Sequence, residues 1–406
     1  MRGVDAPAVT IDDIEAAAAR IGGQVVRTPS ARSAILSDLT GAEVVVKFEN
    51  LQFTASFKDR GAANRLHLLG DDERSRGIVA ASAGNHAQGV AHHAQRLGIP
   101  ATIVMPSTAA FTKVANTEAL GATVVQAGVS YADAATLAET LAAEAGLTLV
   151  HPYDDPAVIA GQGTLALELL ADHDLDVVIA PIGGGGLIAG IAIVVAERSP
   201  ETEVIGVQST TYPGMVAALD GRTLDVATAD TLADGIAVRD PGTLTVPIVR
   251  ALVDDVVTVE ELDIERAIVL YLEIEKTVAE GAGACPLAAL LADRDRFRGR
   301  RVGLVLSGGN IDTRLLASVL MRQMVTDRRI VRLRIGVDDL PGQLALVTSA
   351  IGDTGANILE VDHGRLFDQV SARRTVLSLT VETRDFRHTE TVVEALEGHG
   401  WTVVVG

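Results

Sequence analysis

The chain has 406 residues, 48% of them apolar and 21% charged, and carries a formal net charge of −19. That is more chain than one core usually holds, so two or three domains are expected, and the composition is globular rather than disordered. The acidic balance argues against a nucleic-acid partner, and a single cysteine, Cys285, rules out an intrachain disulfide and a cysteine-rich zinc site.

One cysteine also fits a reducing compartment. The N-terminal "MRGVDAPAVT" lacks the apolar core of a secretory signal, so a cytoplasmic location is expected. "TIDDIEAAAARI" reads as a first helix. Short apolar runs then alternate with helical patterns. "VVVKF" is strand-like and the segment from Lys58 is helical. "GIVAAS" is followed by the helix "NHAQGVAHHAQRLG", closed by Gly98. "ATIVMP", the helix "FTKVANTEALG" and "TVVQAG" come next. Later come "DVVIAPI", "LIAGIAIVVAER", "EVIGVQ" and, near residue 301, "RVGLVLSGGN". Such alternation predicts an α/β body of parallel twisted sheets with helices on both faces, whose ligands sit at the carboxyl ends of strands.

Val177 to Ala196 is twenty residues without a charge, the length of a membrane span. Pro181 and four consecutive glycines divide it, so a buried strand, a turn and a buried helix are expected, and no membrane association. From about residue 330 the pattern becomes β-α-β-β-α-β, a ferredoxin-like unit, with "MRQMVTDRR" before it expected as a linker.

Three strand-end turns carry the chemistry. Gly183 to Gly186 lets the backbone approach an anion while N–H groups and a helix N-terminus point at it; a phosphate site is favoured over a plain turn. The sequence fits neither Walker A nor the G-x-G-x-x-G fingerprint. "SAGNHAQG", residues 82 to 89, and "SGGN", Ser307 to Asn310, offer donors at two further turns, although Ser and Asn are also ordinary caps. Lys58, in "TASFKDRGAANRL", is either a solvated surface charge or a nucleophile. An unperturbed lysine, with a pKa of about 10.4, is a poor nucleophile at neutral pH. Beside a phosphate site it suggests a Schiff base with pyridoxal 5'-phosphate. No H-E-x-x-H or G-x-S-x-G motif competes.

These residues resemble the fold-type II pyridoxal-phosphate enzymes, in the threonine dehydratase (threonine ammonia-lyase) and serine racemase branch. The matching pieces, in order, are "SFKDRGA" at 56–62, "SAGNHAQGVA" at 82–91, "HPYDDPAVIAGQGTLALE" at 151–168, "GGGGL" at 183–187, "LADGIAV" at 232–238 and "LSGGN" at 306–310. The resemblance implies a catalytic body over 1–325, with a smaller subdomain at about 50–155 nested in a larger one. It implies Lys58 as the cofactor-bonding catalytic lysine, with Phe57 beside the ring and Asn85 hydrogen-bonding the ring oxygen. Gly183, Gly184, Gly185, Gly186 and Leu187 would bind the phosphate, and Ser307 would face the ring nitrogen. The substrate carboxylate would lie against Ser82, Ala83, Gly84, Asn85 and His86; His86 reads equally well as a helix-capping residue.

A serine at the ring nitrogen makes the cofactor a shallower electron sink than a carboxylate would, which favours prompt loss of a β-hydroxyl. L-Threonine would then give 2-oxobutanoate and ammonia, and L-serine pyruvate. Serine racemases carry a second serine where Ala83 stands, and an acidic metal ligand where Gln208 falls. Racemisation is therefore expected to be poor and no metal is expected. The alternatives are a serine racemase or hydroxyaspartate dehydratase and, in another class, a non-catalytic amino-acid sensor.

The tail at 330–406 resembles an ACT domain, on "DLPGQLALVTSAIGDTGANI" with Asp339, Pro341, Gly342, Leu344, Gly355 and Asn357. That resemblance implies an amino-acid effector, a homodimer or homotetramer, and a catabolic-type dehydratase; an oligomerisation domain without ligand is the plainer reading.

Overall fold

The structure, a computed structural model, describes residues 8–224, 231–364 and 373–406. The first seven residues of the N-terminal stretch "MRGVDAPAVT" lie outside the described residues. The chain divides into two compact units, Met1–Ile311 and Asp312–Gly406.

The first unit contains two sheets. The larger has six strands, in the spatial order Ser30–Ser33, Glu43–Phe48, Arg301–Leu306, Val177–Pro181, Glu203–Ser209 and Asp255–Val259. Only the Ser30–Ser33 edge pairs antiparallel; every other pairing is parallel. The smaller has four parallel strands, Thr123–Gln126, Ala101–Met105, Ile78–Ala81 and Thr148–Leu149. Parallel strands covered on both faces read as near-continuous apolar runs, and "VVIAP" at 177–181 and "IVAA" at 78–81 are buried at every position.

The uncharged segment from Val177 breaks as its glycines require. Strand Val177–Pro181 ends at the turn and helix Gly186–Arg198 follows, buried from Gly186 to Val195. Among the described residues no helix is long and apolar enough to cross a membrane. The first helix, Ile11–Ile21, is held by a capping box between Thr10 and Asp13. Helix Asn85–Leu97 stops at Gly98, which takes the left-handed conformation at φ 67°.

Helix Lys58–His67 is anchored by a buried charge network that the sequence pattern did not announce. Arg60 meets Glu49 through Nε at 2.7 Å and Nη2 at 2.8 Å. It meets Glu168 through Nη1 at 2.7 Å and Nη2 at 2.8 Å. Lys47 Nζ donates to Glu168 at 2.6 Å and to the Thr28 carbonyl at 2.7 Å. Arg60, Glu49 and Lys47 are fully buried. Two cations and two anions balance, which is how buried charge is tolerated.

The second unit holds an antiparallel sheet ordered Asn357–Gly364, Arg374–Glu382, Ile330–Asp338 and Thr402–Val405. Helices Gln343–Asp353 and Phe386–Gly398 complete the β-α-β-β-α-β order. Strand Ile330–Asp338 alternates buried and exposed residues as a sheet with one covered face should. The expected linker "MRQMVTDRR" is partly helical: residues 321–326 complete helix Thr313–Thr326, and only residues 327–329 lie between it and strand Ile330–Asp338. That helix buries only Val319, so its polar surface reads like a linker in sequence.

Candidate active site

Lys58 opens its helix, and the turn before it is fastened to the turn after strand Arg301–Leu306. Phe57 N–H donates to the Ser307 carbonyl at 3.0 Å, Gly309 N–H donates to the Ala55 carbonyl at 2.9 Å, and Ser56 and Gly308 form an antiparallel bridge. Lys58 Nζ reaches the Pro152 carbonyl at 2.7 Å and lies 5.1 Å from the centre of the Phe57 ring. Burial pulls its pKa down to about 8, against the opposing charge of Glu280. The residue as a whole is half-buried.

The residue after Pro152 ties the lysine to the glycine turn. A Cβ on Gly184 would stand 2.2 Å from the Tyr153 ring, and one on Gly186 would stand 2.9 Å from the Tyr153 carbonyl. Gly185 has φ 98°, a conformation that disfavours side chains. Thr245 Oγ1 and Gly242 N–H both donate to the Gly184 carbonyl, at 2.6 and 3.1 Å. Gly183 lies against Ile236 and Val238 of the "LADGIAV" segment. Gly186 and Leu187 begin the buried helix, whose first N–H groups have no intrahelical acceptor.

Asn85 begins helix Asn85–Leu97. Its Nδ2 donates to Glu280 at 2.7 Å, and its Oδ1 accepts from Asn310 Nδ2 at 2.8 Å, an amide that also reaches the Thr54 carbonyl. Ser82 Oγ accepts the Gly84 N–H at 3.2 Å. Ala83 is half-buried against the small sheet's core, and a Cβ on Gly84 would meet nothing. Buried His86 places Nε2 2.9 Å from the Val150 carbonyl, and its Nδ1 has no partner among the described residues. Burial, then the charge of Lys58, drives its pKa down to about 3, so Nε2 carries the proton and donates. Ser307 is buried beside Phe57. Gln208 is fully buried with its amide spent: Nε2 donates to the Ile182 carbonyl at 3.1 Å, and Oε1 accepts Met215 and Val216 N–H at 2.9 and 3.1 Å.

Glu280 is the group that sequence reasoning missed. It is 3% exposed, and its N–H donates to the Gly308 carbonyl at 3.1 Å. Burial first, and Asp234 second, push its pKa up to about 7. The available signal was one acid just before "GAGACPLAALLA", a charge at the mouth of an otherwise apolar helix. Tyr153 is a second such group: its ring packs on the glycine turn and its hydroxyl donates to the Asp240 carbonyl at 3.1 Å.

The second unit places the remaining expected residues by themselves. Asp339 N–H donates to the Arg373 carbonyl at 2.9 Å. Pro341 and Gly342, the latter with φ 91°, open helix Gln343–Asp353, from which Leu344 is exposed. Gly355, with φ 81°, precedes strand Asn357–Gly364, where the Asn357 amide donates to Glu382 at 3.3 Å.

The lysine, the glycine turn, Asn85 and Ser307 thus converge, and they suit pyridoxal phosphate. Glycines whose Cβ atoms have no room, beside a helix N-terminus, suit a phosphate, and a buried amine with a depressed pKa suits an imine. The family model described as "Pyridoxal-phosphate dependent enzyme" matches residues 21–308. The L-threonine ammonia-lyase of Thermotoga maritima is 44% identical over 401 residues, 98% of this chain and 100% of that one. The catabolic L-threonine dehydratase of Staphylococcus aureus (strain N315) is 45% identical over 318 residues, 77% of this chain and 92% of its own. Among solved structures, the T.th. threonine deaminase superposes with a TM-score of 0.71 at 42% identity, covering 75% of this chain and 99% of that one. Maize serine racemase gives 0.73 at 34%, covering 79% and 99%. With a family match across most of its length and a relative alike from end to end, this chain belongs to the pyridoxal-phosphate dependent enzymes.

Proposed function

We propose that this chain is an L-threonine ammonia-lyase that also accepts L-serine. The observation that carries the reading is the junction at Pro152–Tyr153, which puts a buried lysine amine and a four-glycine turn on one site. The names of its near-full-length relatives point the same way.

Each group then has a task. The N–H groups of Gly183 to Gly186, with Leu187 at the helix start, would hold the cofactor phosphate, and Phe57 would flank its ring. The Asn85 amide, oriented by Glu280 and Asn310, would meet the ring oxygen, and Ser307 the ring nitrogen. Ser82 and the backbone from Ala83 to His86 take the substrate carboxylate. Bound pyridoxal phosphate supplies an electron sink at the substrate Cα. Lys58 would remove the Cα proton, and burial, which already lowers its pKa from the ordinary lysine value, suits it to act as a base. The β-hydroxyl leaves as water, and one water is taken up again when the released enamine hydrolyses, so L-threonine yields 2-oxobutanoate and ammonia. Ala83 has no proton for the opposite face of Cα, which favours elimination over racemisation.

The second unit is proposed as an ACT domain. The turn Asp339–Gly342 and its helix would receive an amino-acid carboxylate, and Leu344 and Asn357 would border it. Pairing of such domains would make a homodimer or homotetramer. A cytoplasmic location is proposed with it, on the single cysteine, which fits a reducing compartment.

A substrate panel tests the reading, with keto-acid detection and chiral analysis of recovered amino acid. L-Threonine should yield 2-oxobutanoate, and L-serine pyruvate with little D-serine. Comparable D-serine and pyruvate rates would favour the racemase reading, and no keto acid from either would end the lyase reading.

A further inference from the structure

Lys58 is the first residue of its helix, so the aim of its amine depends on the turn before it. That turn contains Ala55 at φ 55°, a left-handed conformation that costs a non-glycine residue about 1–2 kcal/mol. On one side the turn is held by residues 307–310. On the other it is held by Asp59. The Asp59 Oδ2 accepts the Thr54 N–H at 2.9 Å, and Oδ1 accepts the Thr54 hydroxyl at 2.8 Å, closing a loop around Ala55, Ser56, Phe57 and Lys58.

Asp59 is 0% exposed. An acid in the first turn of a helix ordinarily sits in water, where the helix dipole stabilises it by about 0.3–1 kcal/mol. Burial needs compensation of another order. Thr54 provides two donors, and the imidazole of His93 stands with Nε2 3.4 Å from Oδ1. His93 is also buried, and its Nε2 has no hydrogen-bond partner among the described residues. It lies one turn beyond Gly89, where a Cβ would be 3.3 Å from the Lys58 carbonyl carbon and 3.4 Å from the Asp59 nitrogen. The helix that starts at Asn85 is therefore pressed against the backbone of the lysine itself. His92 packs edge-on to His93, and Phe53 stacks on His92.

We infer that Asp59 is a positioning residue: with His93 behind it, its carboxylate locks the Thr54–Phe57 turn and so sets the aim of Lys58. The inference rests on the reading of Lys58 as the cofactor lysine. It also ties the aim of Lys58 to the helix that presents Asn85.

The test uses the full-length holoenzyme with Asp59→Asn, Thr54→Val and Thr54→Ser. Cofactor content, the visible band and its pH titration, kcat, KM and the urea midpoint are measured together. Asp59→Asn and Thr54→Val should stay folded and keep the cofactor on Lys58, with a urea midpoint lowered by the lost buried bond. The midpoint of the visible band's titration should shift, and kcat should fall by about 10²-fold with KM moving far less, because misaim rather than lost binding is the fault. Thr54→Ser keeps the hydroxyl and should recover most of the rate. An unchanged band with kcat within about twofold of wild type in Asp59→Asn, or Thr54→Ser as poor as Thr54→Val, would overturn the inference. So would a rate loss that merely follows the urea midpoint. If Asp59→Asn does not fold, the two Thr54 variants decide. Cofactor found on another lysine in the wild type would refute the underlying reading instead, before any variant is made.

Discussion

Replacing Glu280 with glutamine should remove a pH dependence built into the folded chain. Folding raises this carboxyl from 4.5 to about 7, through burial and then through Asp234. Between those values the folded protein holds a proton that the unfolded chain has released. The unfolded state binds fewer protons there, so stability falls as pH rises through this window and is level above it. The interval from 4.5 to about 7, at about 1.36 kcal/mol per pH unit, is worth about 3 kcal/mol. Glutamine stays neutral throughout and keeps an oxygen for the Asn85 amide. Urea unfolding of both cofactor-free proteins, from pH 4.5 to 8, gives a difference curve in which every titrating group not coupled to Glu280 cancels; Lys58, Asp234 and Lys113 are coupled to it. Glu280→Gln should gain on the wild type by about 3 kcal/mol across the range, nearly all of it below pH 7. A flat difference curve, or one in which the wild type gains, would refute the account of Glu280 as a buried acid.

Other expectations follow from single contacts. Gly184→Ala puts a Cβ 2.2 Å from the Tyr153 ring, so it should cost about 1–3 kcal/mol in denaturant unfolding and weaken cofactor retention on dialysis. Arg60→Met leaves Glu49 and Glu168 without their shared cation, and a loss of about 3–5 kcal/mol should appear as a lower urea midpoint. Ala83→Ser should raise D-serine formation from L-serine, read by chiral chromatography. If the second unit binds an effector, branched-chain amino acids or threonine should move the full chain's saturation curve by about 5–150-fold in affinity.

Five of the six motifs were legible because each is a strand-end turn or a helix start, where backbone geometry demands particular residues; "LADGIAV" instead surrounds the short 3-10 turn Asp234–Ile236. Gly185 needs its positive φ, and Gly98 ends its helix in the same way. The alternation of elements was legible for a similar reason, since buried parallel strands such as Val177–Pro181 and Ile78–Ala81 are continuous apolar runs. What sequence did not disclose is partnership across distance. Asp59 looks like an ordinary first-turn acid, and only packing against Thr54 and His93 makes it a buried one. Glu280 gains its meaning from Asn85, 195 residues away. The helical part of the expected linker was hidden for a complementary reason: a helix that buries only Val319 has the composition of a connecting segment.

The chain has four lysines, at 47, 58, 113 and 276. Lys47 is bonded to Glu168, Lys113 to Asp234, and Lys276 to the Glu273 carbonyl. Borohydride reduction of the holoenzyme followed by peptide mapping therefore tests the central claim against three clear controls. The cofactor mass should be found on Lys58 alone, and Lys58→Ala should lose the visible band of the protein-bound imine. Label on Lys47, Lys113 or Lys276, or an unchanged band in Lys58→Ala, would contradict the account.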